Sequence, residues 1–227
     1  MAECFLQEGE TLDDLGGGVR IIQNPALYRF TSDAVLLARF ARAKRGDRVA
    51  DLCAGGGAVG LQFYALHPAD VRGLVFFEMQ PALSEMSARS AALNGLACAR
   101  AECCRVQDIG APYIEAFSLA LCNPPYGRGG FADADPHRAL CRSEIALTLQ
   151  EAAAAAAKVL KFGGRLAMCH RADRLAEVLY TLKGAGIEPK RVQPVCGRAG
   201  AAPYLVLAEG VKGGKPGCEL LPDLVNA

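Results

Sequence analysis

Short apolar runs of strand length alternate with helix-patterned segments along most of this chain, and no other property restricts its fold as much. Runs at Arg48–Cys53, Gly73–Glu78, Glu102–Val106, Ser118–Cys122, Arg165–His170, Arg191–Cys196 and Tyr204–Glu209 read as strands. Between them, Ala58–Leu66, Pro81–Leu93, His137–Leu160 and Ala172–Gly184 carry helical patterns. Strands separated by helices imply right-handed crossovers, and so a seven-stranded, mostly parallel sheet with helices on both faces, an α/β doubly wound architecture. The last two runs are joined by only residues 197–203, which predicts an antiparallel hairpin at the sheet edge. Within the third helix the run Ala152 to Ala157 has high helix propensity, and Gly163-Gly164 is expected to end that helix and start the fifth strand.

Outside this core the patterns are shorter. Val19–Ile22 and Leu27–Phe30 flank Asn24-Pro25 and read as a hairpin. Thr31 or Ser32 can then cap a helix from Asp33 to about Lys44, with Leu36, Leu37 and Phe40 on one face. Residues 1–45 are thus expected to form a hairpin and helix packed on the core, residues 46–210 the α/β domain, and residues 211–227 a Gly- and Lys-rich tail lying loosely on the surface.

Composition narrows the class further. A chain of 227 residues with 52% hydrophobic residues suffices for one α/β core. Its apolar stretches stop well short of the roughly 20 residues a membrane span needs. Glu3, Glu8, Glu10, Asp13 and Asp14 precede any basic residue, unlike a secretory signal, and a cytoplasmic protein is expected. Ten cysteines without a Cys-x-x-Cys read as small buried hydrophobes in a reducing compartment. His137 and Cys141 lie four apart but have no third ligand, so no metal is expected. The net charge of +1 hides an uneven distribution: from Lys183 to Lys215 six basic residues face two acidic ones, a local excess of +4. That region, with Lys190, Arg191 and Lys212, is either a solvated face or a surface for phosphates.

The chemistry gathers at strand ends. After the first core strand comes Asp51-Leu-Cys-Ala-Gly-Gly-Gly-Ala-Val-Gly60, containing Gly55-x-Gly57-x-x-Gly60. Glycines there let the backbone approach a nucleotide and let the next helix pack close, although such a fingerprint is weak alone. Glu78, followed by Met79, ends the second strand, where a carboxylate can accept both hydroxyls of a ribose. Asp108 follows the third. The fourth delivers Asn123-Pro124-Pro125-Tyr126. Each carboxylate alone could be a surface charge or a cap. All of these ends face one edge of a parallel sheet, where open α/β folds bind ligands.

An Asn-Pro-Pro-Tyr turn at a strand end resembles the active-site loop of S-adenosylmethionine (SAM)-dependent methyltransferases acting on a planar amino or amide nitrogen, and seven strands fit their class I fold. Such a nitrogen shares its lone pair with a conjugated system and needs polarisation more than a strong base. The resemblance implies that the Asn123 side-chain oxygen and the Pro124 carbonyl accept its two N–H groups, with Pro125 fixing the turn and Tyr126 stacking on the substrate plane. Proline fixes φ and places no competing N–H beside those carbonyls. Asp51 would order the glycine turn and reach the methionine amino group, Glu78 would bind the ribose and Asp108 the adenine amino group of SAM. Cys53 stands where such enzymes often carry glycine.

The segment Phe30-Thr31-Ser32-Asp33-Ala-Val-Leu-Leu-Ala38, the same loop, and Ala202-Pro203-Tyr204-Leu-Val-Leu207 followed by Lys212-Gly-Gly-Lys-Pro-Gly217 together resemble the bacterial tRNA adenine-N6 methyltransferase family acting on the anticodon loop of a valine tRNA. The likeness runs from about Leu15 to Leu224. It implies that Arg29, Ser32 and Asp33 border the SAM and substrate pockets, and that the sulfonium methyl passes directly to adenine N6, leaving S-adenosylhomocysteine, with no metal. It further implies a tRNA partner, no obligate protein partner, and a loop from Gly127 to Pro136 closing over an unstacked base, with Arg128 and Arg138 near phosphates. Three rivals remain. A protein glutamine methyltransferase shares the Asn-Pro-Pro-Tyr turn but usually carries a long helical domain before its core, where this chain has about 45 residues. A DNA adenine methyltransferase would carry a target-recognition domain, and an inactive SAM- and RNA-binding protein has no need of an intact Asn-Pro-Pro-Tyr.

Overall fold

The computed structural model describes residues 6–27, 29–126 and 147–226. At its centre is a nine-stranded sheet. A hairpin of β1 (Thr11–Gly16) and β2 (Val19–Gln23) precedes α1 (Ser32–Phe40). The core then runs β3 (Asp47–Leu52), α2 (Ala58–Leu66), β4 (Val71–Glu78), α3 (Pro81–Leu93), β5 (Ala99–Cys103), a single 3₁₀ turn at Val106–Asp108, and β6 (Phe117–Cys122). After it come α4 (Leu149–Val159), β7 (Leu160–Arg171), α5 (Leu175–Gly184), β8 (Ile187–Cys196) and β9 (Leu205–Lys212), then two short strands, β10 (Glu219–Leu220) and β11 (Leu224–Val225). The spatial order is β5-β4-β3-β6-β7-β9-β8, with β10 and β11 both on β8. Every pairing in it is parallel except those of β9, which runs antiparallel to β7 and β8.

The period of two along each strand divides the core into two layers. Val49, Phe76, Leu119 and Leu121 face a cluster shared with α1 and α2, including Leu37, Leu61 and Phe63. Ala50, Leu52, Phe77, Ala120 and Cys122 face the opposite cluster, with Ala152, Ala156 and Val159 of α4 and Val178 and Leu182 of α5. Strands buried on both faces read as continuous apolar runs, which is why β3 and β6 are plain in the sequence. At their far end the Arg165 guanidinium pairs with buried Asp47 at 2.6 Å, and Asp47 also accepts the Ser118 hydroxyl at 2.7 Å, tying β7, β3 and β6 together.

Several boundaries differ from expectation. Val19–Ile22 does form a hairpin strand, but with Thr11–Gly16 upstream and not with Leu27–Phe30. Gly16, Gly17 and Gly18 all take positive φ (89°, 68° and 84°) and make the reversal before Val19. Asn24 instead closes a turn, its Oδ1 accepting the Ala26 N–H at 2.9 Å, that leads toward α1. α1 stops at Phe40, before Lys44, because Ala41 turns to extended backbone and the Lys44 N–H bonds the Asp47 carboxylate at 2.7 Å. β5 begins three residues before the predicted Glu102; it is the sheet's edge strand, half exposed, so apolar content marks it poorly, and Val106 is buried from the 3₁₀ turn.

The third predicted helix is described from Leu149, where Thr148 and Glu151 form a reciprocal capping box; residues 137–146 lie outside the described residues. That helix ends at Val159, and Gly163-Gly164 sit within β7 where its register against β6 jumps from Leu160 to Arg165. The tail is not loose. Through β10 and β11 it adds parallel pairs to β8, and its Pro222 and Asp223 meet the Gln193 and Cys196 side chains of that strand.

Candidate active site

The C-terminal ends of β3, β4 and β6, the turn after β5 and the first turn of α1 surround a cavity of about 700 Å³. This lies within the range of small-molecule and cofactor pockets. Asn123, Pro124, Pro125 and Tyr126 all line it, and so do Asp33, Cys53, Gly55, Glu78 and Met79. Residues from five separate elements thus meet in one space.

The glycine turn is held by two carboxylates. Asp51 is fully buried and its Oδ2 accepts the Gly60 N–H at 2.8 Å. Burial pushes its carboxyl up to about 7, opposed by that N–H and reinforced by the nearby Glu78 charge. Its Oδ1 has no hydrogen-bond partner among the described residues, and Asp51 lies outside the cavity wall. Gly60 is sterically required, because a Cβ there would come within 2.7 Å of the Phe76 ring and 2.9 Å of Asp51 Oδ2. Gly57 caps α2 with φ +90° and packs against Ser87 and Phe76, also away from the wall. Cys53 has φ +60°, the left-handed region that glycine occupies without cost. Its thiol is pushed up by a hydrogen bond with Cys122 and then by burial.

Glu78, also buried, reaches across from β4. Its Oε2 accepts the Gly55 N–H and its Oε1 the Gln80 N–H, each at 2.9 Å. Burial raises its pKa, and these backbone donors hold it down. Each oxygen keeps a further lone pair for a ligand hydroxyl.

Just after β6 the catalytic candidates are anchored from two sides. The Cys169 thiol, on the adjacent β7, donates to Asn123 Oδ1 at 2.9 Å. Burial first, and then the Asp33 charge, push that thiol's pKa well up, so it is a protonated donor at neutral pH. It fixes the rotation of the Asn123 amide while leaving Oδ1 one further acceptor position. The Tyr126 hydroxyl donates to Asp33 Oδ2 in the first turn of α1, and its ring lies 5.5 Å from that of His170.

Three other predicted residues lie outside the wall. Asp108 is exposed at the end of the 3₁₀ turn, while Arg105, Val106 and Gln107 of the same segment line the cavity. Ser32 is exposed, and its hydroxyl accepts from Asn226 Nδ2 at 3.3 Å. Arg29 pairs with Asp13 at 2.5 Å; Asp13 also accepts from Gln23, whose Oε1 takes the Phe30 N–H at 3.0 Å. These links fasten the hairpin to the entry of α1. Gly127 to Pro136, Arg128 and Arg138 lie outside the described residues, as do His137 and Cys141.

The structure adds wall residues that the sequence did not reveal. Ile21, Ile22 and Gln23 of the hairpin close one side, and Arg171, Asp173 and Pro203–Leu205 line another. The hairpin docks on α3, with the Ile22 N–H donating to Ser90 Oγ at 3.0 Å and Arg89 gripping Glu10 through two bonds of 2.6 Å. No motif encodes this; a periodic apolar pair in a short strand was the available signal. The C-terminal basic residues read differently in three dimensions. Arg191 is buried, pairs with Glu209 at 3.2 Å and lies over the Phe40 ring; Lys190 bonds the Lys215 and Gly217 carbonyls; Lys212 holds Glu115 and the Leu160 carbonyl. These three side chains are engaged in contacts within the fold.

The strand order, the antiparallel β9 and a ligand cavity at the carboxyl ends of the strands define a class I methyltransferase fold. A predicted O-methyltransferase of Agrobacterium tumefaciens superposes with a TM-score of 0.68 at 22% identity, covering 85% of this chain and 86% of that one. The P. horikoshii TYW2 structure in complex with MeSAdo gives 0.64 at 15% identity, over 92% and 73%. No protein-family model matches the chain. A curated relative, the tRNA1(Val) (adenine(37)-N6)-methyltransferase of Aeromonas hydrophila subsp. hydrophila, is 31% identical over 183 residues, 74% of this chain and 75% of the relative. The chain belongs to that methyltransferase family. Among the described residues no helix is long and apolar enough to cross a membrane.

Proposed function

We propose that this protein is a SAM-dependent methyltransferase that methylates N6 of an adenine in tRNA, beside the anticodon of a valine tRNA. The observation that carries the reading is the meeting of Asn123 and Tyr126 with Glu78 and the glycine turn in one cavity. The name of the curated relative supports the choice of acceptor.

The residues present suit SAM. Buried Glu78 keeps acceptor capacity toward the cavity for ribose hydroxyls, and exposed Met79 flanks it in the wall. When bound, SAM supplies the electrophilic methyl group. The chain's own residues do the rest. Asn123 Oδ1 and the Pro124 carbonyl accept the two N6 hydrogens, drawing the nitrogen toward tetrahedral geometry and freeing its lone pair. Tyr126, steadied by Asp33, stacks on the base, which is worth roughly 1–3 kcal/mol. Orientation and hydrogen bonding at the nitrogen carry the catalysis, with no covalent intermediate.

The test is incubation of purified protein with SAM and unmodified bulk tRNA, followed by nucleoside mass spectrometry. N6-methyladenosine is expected with the wild type and not with Asn123→Ala. Its absence, with SAM demonstrably bound, would overturn the RNA reading and direct the search to protein glutamine.

A further inference from the structure

A tRNA substrate is a polyanion, and the cations first expected to meet it, Lys190, Arg191 and Lys212, are engaged in the fold. A different set stands open. Where β3, β4, β5 and β6 begin, at the sheet edge opposite the candidate active site, a polar cleft of about 420 Å³ is walled by Arg48, Arg72, Arg100, Gly73 and Phe117. Among the described residues no carboxylate lines it, and none of the three arginines has an ion-pair partner. Glu102, two residues along β5 from Arg100, does not line the cleft and accepts the Tyr113 hydroxyl through one oxygen.

Two of the guanidiniums lie over aromatic rings. The Arg48 group lies 5.7 Å from the centre of the Phe117 ring and the Arg100 group 5.6 Å from that of Tyr113. The two rings stack on each other at 5.9 Å and 24°. A pair of aromatic rings between two guanidiniums restrains both planes while leaving their N–H groups for another acceptor. Gly73 lies beside Arg48 in the cleft wall, with room for a Cβ at ordinary contact distance, 3.9 Å from Arg48 Cγ.

We infer that this cleft is a second contact site for the substrate RNA, binding phosphodiester oxygens of a segment remote from the methylated base. Planar guanidiniums match phosphate through paired N–H donors. The five residue steps from Arg48 to Cys53, just past the end of β3, span roughly 17 Å at about 3.3 Å each, so a chain that reaches both edges must continue past the target loop. Contacts to backbone phosphates position an RNA without reading its sequence. The cleft would therefore favour a long, folded substrate over a short one. Arg105, exposed in the wall of the candidate active site, stands beyond the opposite end of β5 from Arg100, so the β5 edge offers a path between the two.

The inference rests on the RNA reading above, and the experiment separates the two. Affinity for a full tRNA transcript and for a single-stranded oligonucleotide covering only its target loop would be measured against salt, with wild type and Arg72→Gln/Arg100→Gln. Both positions are exposed, and an unchanged thermal midpoint would show that the variant is folded. A second variant, Arg72→Glu, reverses charge while sparing the aromatic stack. The expected result is about tenfold or greater loss of tRNA affinity at low salt and a salt slope shallower by roughly 1–2, with oligonucleotide binding unchanged. Arginine-dependent tRNA binding in a protein that methylates no RNA would sink the proposed reaction and leave the cleft standing. Unchanged tRNA affinity and slope in both variants would overturn the cleft, and so would competition for it by inorganic phosphate with no effect on tRNA.

Discussion

Two turns at neighbouring strand ends, the glycine turn after β3 and the Asn-Pro-Pro-Tyr turn after β6, make the two halves of the cavity in opposite ways. The first is shaped by its backbone. Cys53, Gly55 and Gly57 all have positive φ, at 60°, 55° and 90°, and main-chain N–H groups tie the turn to Asp51 and Glu78. None of residues 123–126 has positive φ. Prolines fix that turn, and it is held through its side chains, Asn123 by Cys169 and Tyr126 by Asp33, across sequence separations of 46 and 93 residues. A backbone-built turn offers shape and donors and tolerates little new volume. A side-chain-built turn offers aimed acceptors, and its accuracy depends on whatever holds those side chains.

The sharpest way to break this contrast is at Asn123. Asn123→Ala is expected to lower kcat by about 10²–10³, the cost of losing one transition-state hydrogen-bonding group, with SAM affinity by calorimetry within a few-fold of wild type. Retained turnover would remove Asn123 from the reaction.

On the glycine side, the effect is on stability. The folded-state pKa of Asp51, about 7, lies above its ordinary 3.8, so the folded protein binds the extra proton. In the absence of SAM, its contribution to stability is then lost as pH rises from about 4 to about 7, and is constant outside that window. Asp51→Asn keeps an acceptor for Gly60 and removes the ionisation. Thermal melts across that window should be flatter for the variant, with wild type less stable at pH 8 by an amount on the order of a few kcal/mol; parallel melting curves would refute the assignment.

Two smaller tests probe the anchors. Tyr126→Phe keeps the ring and removes the bond to Asp33; about a tenfold fall in kcat, roughly 1.4 kcal/mol of activation free energy, is expected. Asp33→Asn should give a similar loss and the double variant little more, since residues acting through one contact are not additive. Full additivity would mean that Asp33 acts elsewhere. Cys53→Gly should change stability least, a gain of about 1 kcal/mol from released backbone strain, visible as a slightly raised denaturation midpoint. Cys53→Val should instead destabilise, because a β-branched side chain suits φ +60° poorly.

What could be read before folding follows from the same contrast. Gly55, Gly57 and Gly60 are legible because a left-handed or close-packed backbone leaves its mark as glycine within one short segment. Glu78 and Asn123 are legible because strand ends in a parallel sheet come to one edge by topology alone. Asp108 and Arg29 show the limit. A shift of three residues in edge strand β5 put Asp108 outside the cavity wall and Gln107 in it, and Arg29 turned to Asp13 once the hairpin took its true register.

By itself the sequence determined the α/β class, the mostly parallel core and which candidate residues come to its carboxyl edge, because hydrophobic period, glycine placement and motif residues are local properties. Only the tertiary structure decided which side chains hold Asn123 and Tyr126, that the hairpin closes the cavity, that the tail pairs with β8 and that Lys190, Arg191 and Lys212 make contacts within the fold. Those outcomes depend on contacts between distant segments, set by packing and by the need to satisfy buried polar groups, and neither is encoded at any single position in the chain.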